Sequence, residues 1–82
     1  MAHTHYLLTN DEGNTFAVIR ENHIIIVKSA IIIALKDEYG YTEVDFKSIE
    51  IEKLPIPGEL ISFSAKISGN KETFTLKPTW EY

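Results

Sequence analysis

The sequence predicts a two-layer α+β fold, with a single antiparallel-rich sheet of about five strands and one helix packed across it. Two observations carry this prediction. Alternating apolar and polar residues indicate several short strands, and an isoleucine-rich stretch has the length and end signals of a helix. The elements follow in the order β-β-α-β-β-β. A chain of 82 residues can build one thin core, so we expect residues 1–82 to form a single small domain.

The first two strands are predicted at residues 5–9 and 15–20, on either side of the turn sequence Asn10-Asp11-Glu12-Gly13-Asn14. Asparagine, aspartate and glycine supply the positive φ angles and the side-chain caps of a tight reversal. These residues therefore predict a hairpin.

Three strands are predicted after the helix, at residues 43–54, 61–68 and 72–77. In the first of them the apolar alternation slips by one residue at Lys47-Ser48, which predicts a bulge, with Val44 and Phe46 facing the core before it and Ile49 and Ile51 after it. The sequence Pro55-Ile56-Pro57-Gly58 ends this strand, because two prolines remove backbone donors and glycine permits a turn.

The helix is predicted at residues 22–40, with Asn22 as its N-cap and Gly40 just past its last turn. Its many β-branched residues lower its helix propensity, so a β structure is the competing interpretation. No turn residue separates the two isoleucine triplets, and one continuous strand of this length would be unusual. We therefore favour the helix.

Steps of about 100° per residue divide the apolar residues of this helix into two groups. One stripe faces the sheet and comprises Ile24, Val27, Ile31, Ala34 and Leu35. The other group lies on a flank or on the opposite side and comprises Ile25, Ile32, Ile26 and Ile33. A protein with one sheet has no second layer to cover the second group.

We expect this second group to form a contact between protein molecules, since a contiguous exposed apolar patch marks an interface. The predicted interface residues are Ile25, Ile26, Ile32 and Ile33, and a natural or an engineered oligomer interface would have this composition. The predicted function is a non-enzymatic protein-interaction or assembly module, whose partner is a second copy or another protein. Alternatively, the C-terminal tail with Trp80 and Tyr82 covers this side of the helix and keeps the chain monomeric.

A second candidate surface is acidic. Glu43, Asp45, Glu50 and Glu52 are expected on one face of the predicted third strand, opposite its apolar residues. Such residues usually form a solvated outer face. The functional alternative is a small acidic binding protein or inhibitor, of bacterial or phage type, that docks to a basic site on a partner.

Nothing in the sequence indicates catalysis, a cofactor or a metal. The glycine, serine and histidine patterns of common hydrolases, nucleotide-binding loops and zinc proteases are absent from the 82 residues. His3 and His5 are spaced to share one face of a strand, but two histidines without a third ligand rarely define a metal site. The chain has no cysteine, which excludes disulfides and thiolate ligands. We expect a protein without enzymatic activity.

Charge and hydropathy exclude further classes. The net charge is −4 and no run of Lys or Arg occurs, so nucleic-acid binding is not expected. The longest apolar stretch, residues 24–35, includes Lys28 and is shorter than the roughly 20 residues of a membrane span. The N-terminal residues lack the basic and apolar regions of a secretory signal, which predicts a cytoplasmic protein without membrane contact.

Overall fold

One antiparallel sheet and one helix make up the fold in the computed structural model, which describes residues 5–20 and 23–79. The elements are β1 (His5–Asn10), β2 (Thr15–Ile19), α1 (Ile24–Asp37), β3 (Ile61–Ile67) and β4 (Asn70–Thr79). The strand order is β2-β1-β4-β3, and every neighbouring pair is antiparallel. The α+β prediction is confirmed, but the described sheet has four strands instead of about five.

The missing strand is the one predicted at residues 43–54. Its single ladder contact is a bridge between Val44 and Ile67, on the outer edge of β3. There the Asp45 N–H donates to the Lys66 carbonyl oxygen over 3.0 Å. This segment therefore covers one end of the β3 edge without continuing as a strand.

The slip in the apolar alternation marks a turn, where a bulge was predicted. After Asp45 the chain enters a short 3₁₀ helix, Phe46–Ser48, and the Asp45 carboxylate caps it by accepting a backbone N–H over 3.0 Å. Phe46, which was predicted to face the core, is 38% exposed, whereas Ile49 and Ile51 are buried as predicted. The two isoleucines reach the core from an irregular segment, so their burial does not require a strand.

The hairpin of β1 and β2 forms as predicted, and Asn10 organises its turn. The Asn10 Oδ1 atom accepts the N–H of Glu12 at 3.0 Å and that of Asn14 at 2.9 Å. Gly13 provides the positive φ, +88°, that the reversal needs. Asn10 is a buried polar residue, and these two bonds satisfy its side-chain oxygen.

β3 and β4 are joined by Ser68-Gly69, a two-residue turn with positive φ at both positions, as in a type I′ hairpin. β4 then continues past the predicted end of the strand and includes Pro78, which pairs with Tyr6. The pairing of β3 with β4 ends at Leu76, so the side of Pro78 turned away from β1 has no strand to bond. A proline, which lacks the N–H, is tolerated at such a position.

The core lies between α1 and the sheet. The strands contribute alternate residues, namely Tyr6, Leu8, Val18, Phe63, Ala65, Ile67, Phe74 and Leu76. The helix contributes Val27, Ile31, Ala34 and Leu35, with Ile24 partly buried against them. These five helix residues are the ones that the angular analysis assigned to the sheet-facing stripe.

The helix is shorter than the predicted range of residues 22–40. His23 precedes it in an extended conformation without a side-chain capping bond, and the predicted cap, Asn22, lies outside the described residues. At the other end Gly40 has φ +78°, and the N–H of Tyr41 donates to the Leu35 carbonyl oxygen over 3.0 Å. Gly40 therefore turns the chain as predicted.

Tyr39 ties the end of α1 to the first hairpin. Its hydroxyl lies 3.0 Å from the carbonyl oxygen of Leu8 and 2.8 Å from that of Asn14, and donates to them. Its ring packs edge-on against Phe16, with centroids 4.7 Å apart. Burial, and then the neighbouring hydroxyl of Tyr41, raises the pKa of Tyr39 to about 12.

The Tyr39→Phe variant is expected to lose roughly 1–2 kcal/mol of unfolding free energy at neutral pH, because the hydroxyl that bonds the carbonyl oxygens of Leu8 and Asn14 is removed. The raised pKa means that the folded state favours the neutral phenol. The stabilisation that the neutral Tyr39 phenol gives the folded state is complete below pH 10, the ordinary pKa of tyrosine. It is lost as the pH rises towards 12. Urea titrations at pH 8 and pH 11 should therefore show a larger loss for the parent chain than for Tyr39→Phe. An equal loss of unfolding free energy in the two proteins would contradict the raised pKa of Tyr39.

Candidate interaction surface

The isoleucines predicted to form an interface occupy the outer side of α1. Ile25, Ile26 and Ile33 are 69%, 46% and 60% exposed. Ile32 differs from them because it is half-buried and packs against the core. Three of the four isoleucines predicted to form the interface are thus accessible in the single chain.

The structure separates these isoleucines onto two flanks of the helix. Ile33 lies on the flank next to β2, in a groove of about 230 Å³. Its lining is mainly apolar and includes Ala17 and Ile19 of β2 and Ala30 and Ala34 of α1. The acidic residues Asp37 and Glu38 also line it. The sequence does not predict this groove, because apolar alternation does not show which strand lies beside the helix.

The other flank of α1 faces the 3₁₀ helix and is partly covered. The Lys28 ammonium lies 4.9 Å from the centre of the Phe46 ring, within the range of a cation–π contact. Ile32 lies on this side by its helical angle, which agrees with its partial burial. Ile25 remains exposed near the start of the helix, in a shallow apolar hollow with His23. The 3₁₀ helix therefore covers part of this flank, whereas Ile25, the most exposed of the four isoleucines, lies at its uncovered end.

The four acidic residues do not share the face of one strand, because the strand predicted to carry them is absent. Asp45 and Glu50 line a groove of about 310 Å³ together with Lys47, Lys66 and Lys71. The groove is thus lined by three lysines and two carboxylates, which does not make an acidic surface.

The remaining two acidic residues do not line this groove. Glu43 borders a neighbouring hollow that also includes Lys36 and Lys66, and Glu52 is exposed. An acidic docking surface for a basic partner stays a prediction, and the interspersed lysines weaken its physical basis.

The histidines predicted as unlikely metal ligands are not brought into a cluster in the described chain. His5 lies half-buried in β1, and His3 lies outside the described residues. Within residues 5–20 and 23–79, no three histidine, cysteine or acidic side chains converge as a metal site would require. In the same ranges no helix combines the length and the apolar character needed to cross a bilayer.

Comparisons with known proteins add no relative. No protein-family model, no curated protein and no solved structure matches the chain. The site must therefore be interpreted from its own geometry.

Proposed function

We propose that the protein is a non-enzymatic assembly module that self-associates through the outer side of α1. The observation that supports this proposal is the exposure of Ile25, Ile26 and Ile33 on a helix whose opposite side already fills the core. Exposed apolar patches of this kind are typical of protein contacts. The contact is centred on Ile26 and Ile33, with Ile25 beside them and Ile32 at its edge.

The energy of burying these side chains is comparable with the cost of association. Covering the exposed parts of the three isoleucines in both copies contributes roughly 5–10 kcal/mol, at about 1.5–3 kcal/mol for each fully exposed side chain. Bringing two molecules together costs roughly 4–15 kcal/mol. The isoleucines therefore supply a large part of what a dimer needs, and further contacts must supply the rest.

The test replaces apolar side chains by charged ones at matched exposure. Ile26→Glu and Ile33→Glu place carboxylates in the proposed contact, and glutamate has a higher helix propensity than isoleucine, so the fold should be retained. Ile56→Glu is the matched control, because Ile56 is 62% exposed in the loop between α1 and β3. Light scattering and sedimentation over a wide concentration range measure the molar mass.

We expect the parent chain and Ile56→Glu to form the same oligomer, and the two helix variants to be monomers. A parent chain that stays monomeric at high concentration would overturn the proposal. A chain ending at Thr79 separates this proposal from coverage by the tail. Under the proposal this shortened chain forms the same oligomer as the parent, whereas tail coverage predicts a monomeric parent and an oligomeric shortened chain.

A further inference from the structure

β2 is an edge strand whose outer side carries no partner in the described chain. Asn10 and Asn14 directly follow the last pair of the register, Thr9 with Thr15, and the N–H of Asn10 donates to the Asn14 carbonyl oxygen. Hydrogen-bonded and non-hydrogen-bonded pairs alternate along an antiparallel ladder, which makes Leu7 and Ala17 a non-hydrogen-bonded pair. The N–H and C=O of Ala17 therefore point away from the sheet, and no other described residue bonds them.

β2 has none of the features that usually protect an edge strand from pairing. Its sequence, Thr-Phe-Ala-Val-Ile, contains no proline and no charged residue. Natural edges are commonly blocked by lysine, proline, a bulge or a covering segment. The apolar groove that contains Ile33 runs directly beside this strand, so an open hydrogen-bonding edge and an apolar surface are adjacent.

The opposite edge of the sheet is different, because the chain covers part of it. Besides the Asp45 to Lys66 bond, the N–H of Ser68 donates to the Glu43 carbonyl oxygen over 2.8 Å, and the N–H of Lys66 donates to the Ser48 hydroxyl over 2.7 Å. If β2 of one copy paired with β3 of the next, the copies would form an open filament. The hydrogen bonds that cover the β3 edge obstruct this pairing. Pairing β2 with β2 closes after two copies.

We propose that a second copy of this chain pairs with β2, edge to edge and antiparallel, across a twofold axis near Ala17. The two sheets then join into one sheet of eight strands, and the two α1 helices meet above the seam through Ile26 and Ile33. This inference rests on the proposed self-association. It adds a second contact, because burial of the isoleucines alone does not supply all that a dimer needs.

The area needed by a stable dimer supports a contact with both parts. Such a dimer hides roughly 800 Å² on each partner, whereas the whole chain exposes 5122 Å². The outer flank of the 14-residue helix is a strip about 21 Å long and about 10 Å wide. This strip covers about 210 Å². Adding the edge of β2, about 10 Å below the helix, brings the contact to about 420 Å², which is nearer to the required area than the helix alone.

Ala17→Pro tests the edge directly. Proline removes the outward N–H of Ala17 but no bond of the β1–β2 ladder, a situation in which edge strands accept proline. Ala17→Thr is the matched control, because it keeps the N–H and suits a strand. Since each copy loses one donor, the dimer dissociation constant should rise roughly 5–150-fold in Ala17→Pro. It should not rise in Ala17→Thr.

Amide hydrogen exchange of the parent chain gives a second, mutation-free measurement. In the dimer the Ala17 amide should exchange at least about tenfold more slowly than in monomeric Ile33→Glu. If Ala17→Pro fails to fold, this measurement decides alone.

The outcomes separate the two proposals. A dimer that Ile33→Glu dissociates, with a rapidly exchanging Ala17 amide and full affinity in Ala17→Pro, would overturn the edge pairing and leave the assembly function standing. A parent chain that is monomeric throughout would overturn both.

Discussion

Ile31→Asp is expected to unfold the protein, whereas Ile33→Asp, two residues away on the same helix, is expected to leave the single chain folded. Ile31 is fully buried between α1 and the sheet, and Ile33 is largely exposed. Removing the Ile31 side chain from the core costs about 2–5 kcal/mol before any charge is considered. Burying an unpaired carboxylate adds several kcal/mol more. Together these terms reach the total stability of a domain this small, about 4–12 kcal/mol.

Circular dichroism and urea titration of the two variants measure this difference. The pair is matched in chemistry and in helix propensity, so only the side of the helix differs. An Ile31→Asp protein with the same urea midpoint as the parent would show that α1 does not pack in the orientation described. Loss of structure in Ile33→Asp would contradict the exposure of that side.

Ile49→Ala is expected to lose about 2–5 kcal/mol of unfolding free energy, the usual range for a buried large-to-alanine substitution. Ile49 is 1% exposed, yet it belongs to a segment with no strand or α-helix. The large expected effect follows from its position in the core cluster, because a cavity there leaves the neighbouring helix and strands without contacts.

Ile56→Ala is the matched control for this prediction, since Ile56 lies in the same connection but is exposed. Its free energy of unfolding should change by no more than about 0.5 kcal/mol. Equal, small effects in both variants would mean that residues 43–60 pack only loosely on the domain. Equal, large effects would mean that Ile56 contacts the core.

Features of the fold that are determined by local forces could be predicted from the sequence. The turn at residues 10–14 follows from the properties of asparagine and glycine. The division of the helix into a buried and an outer side follows from helical geometry, which places Ile31 and Ile33 at angles far apart. Such features need no knowledge of the rest of the chain.

Features that depend on partners distant in sequence could not be predicted in this way. Residues 43–54 alternate like a strand, but a strand also needs a free edge along its whole length, and only Val44 obtains a pairing. Ile49 and Ile51 are nevertheless buried, because they reach the core from an irregular segment. The groove beside β2 depends on strand order, which alternation does not encode. The uncharged composition of β2 was the one available signal of an unprotected edge.

The pairing of β1 with β4 has a consequence for how the chain folds. His5 pairs with Thr79, so the two central strands of the sheet are the first and the last elements of the described chain. Each hairpin can form on its own within roughly 1–10 μs. Joining the hairpins requires closing a long loop that contains the helix and the irregular segment, and such non-local contacts slow folding. Until that step the apolar faces of both hairpins remain open to water, which makes this step the period of greatest exposure to aggregation.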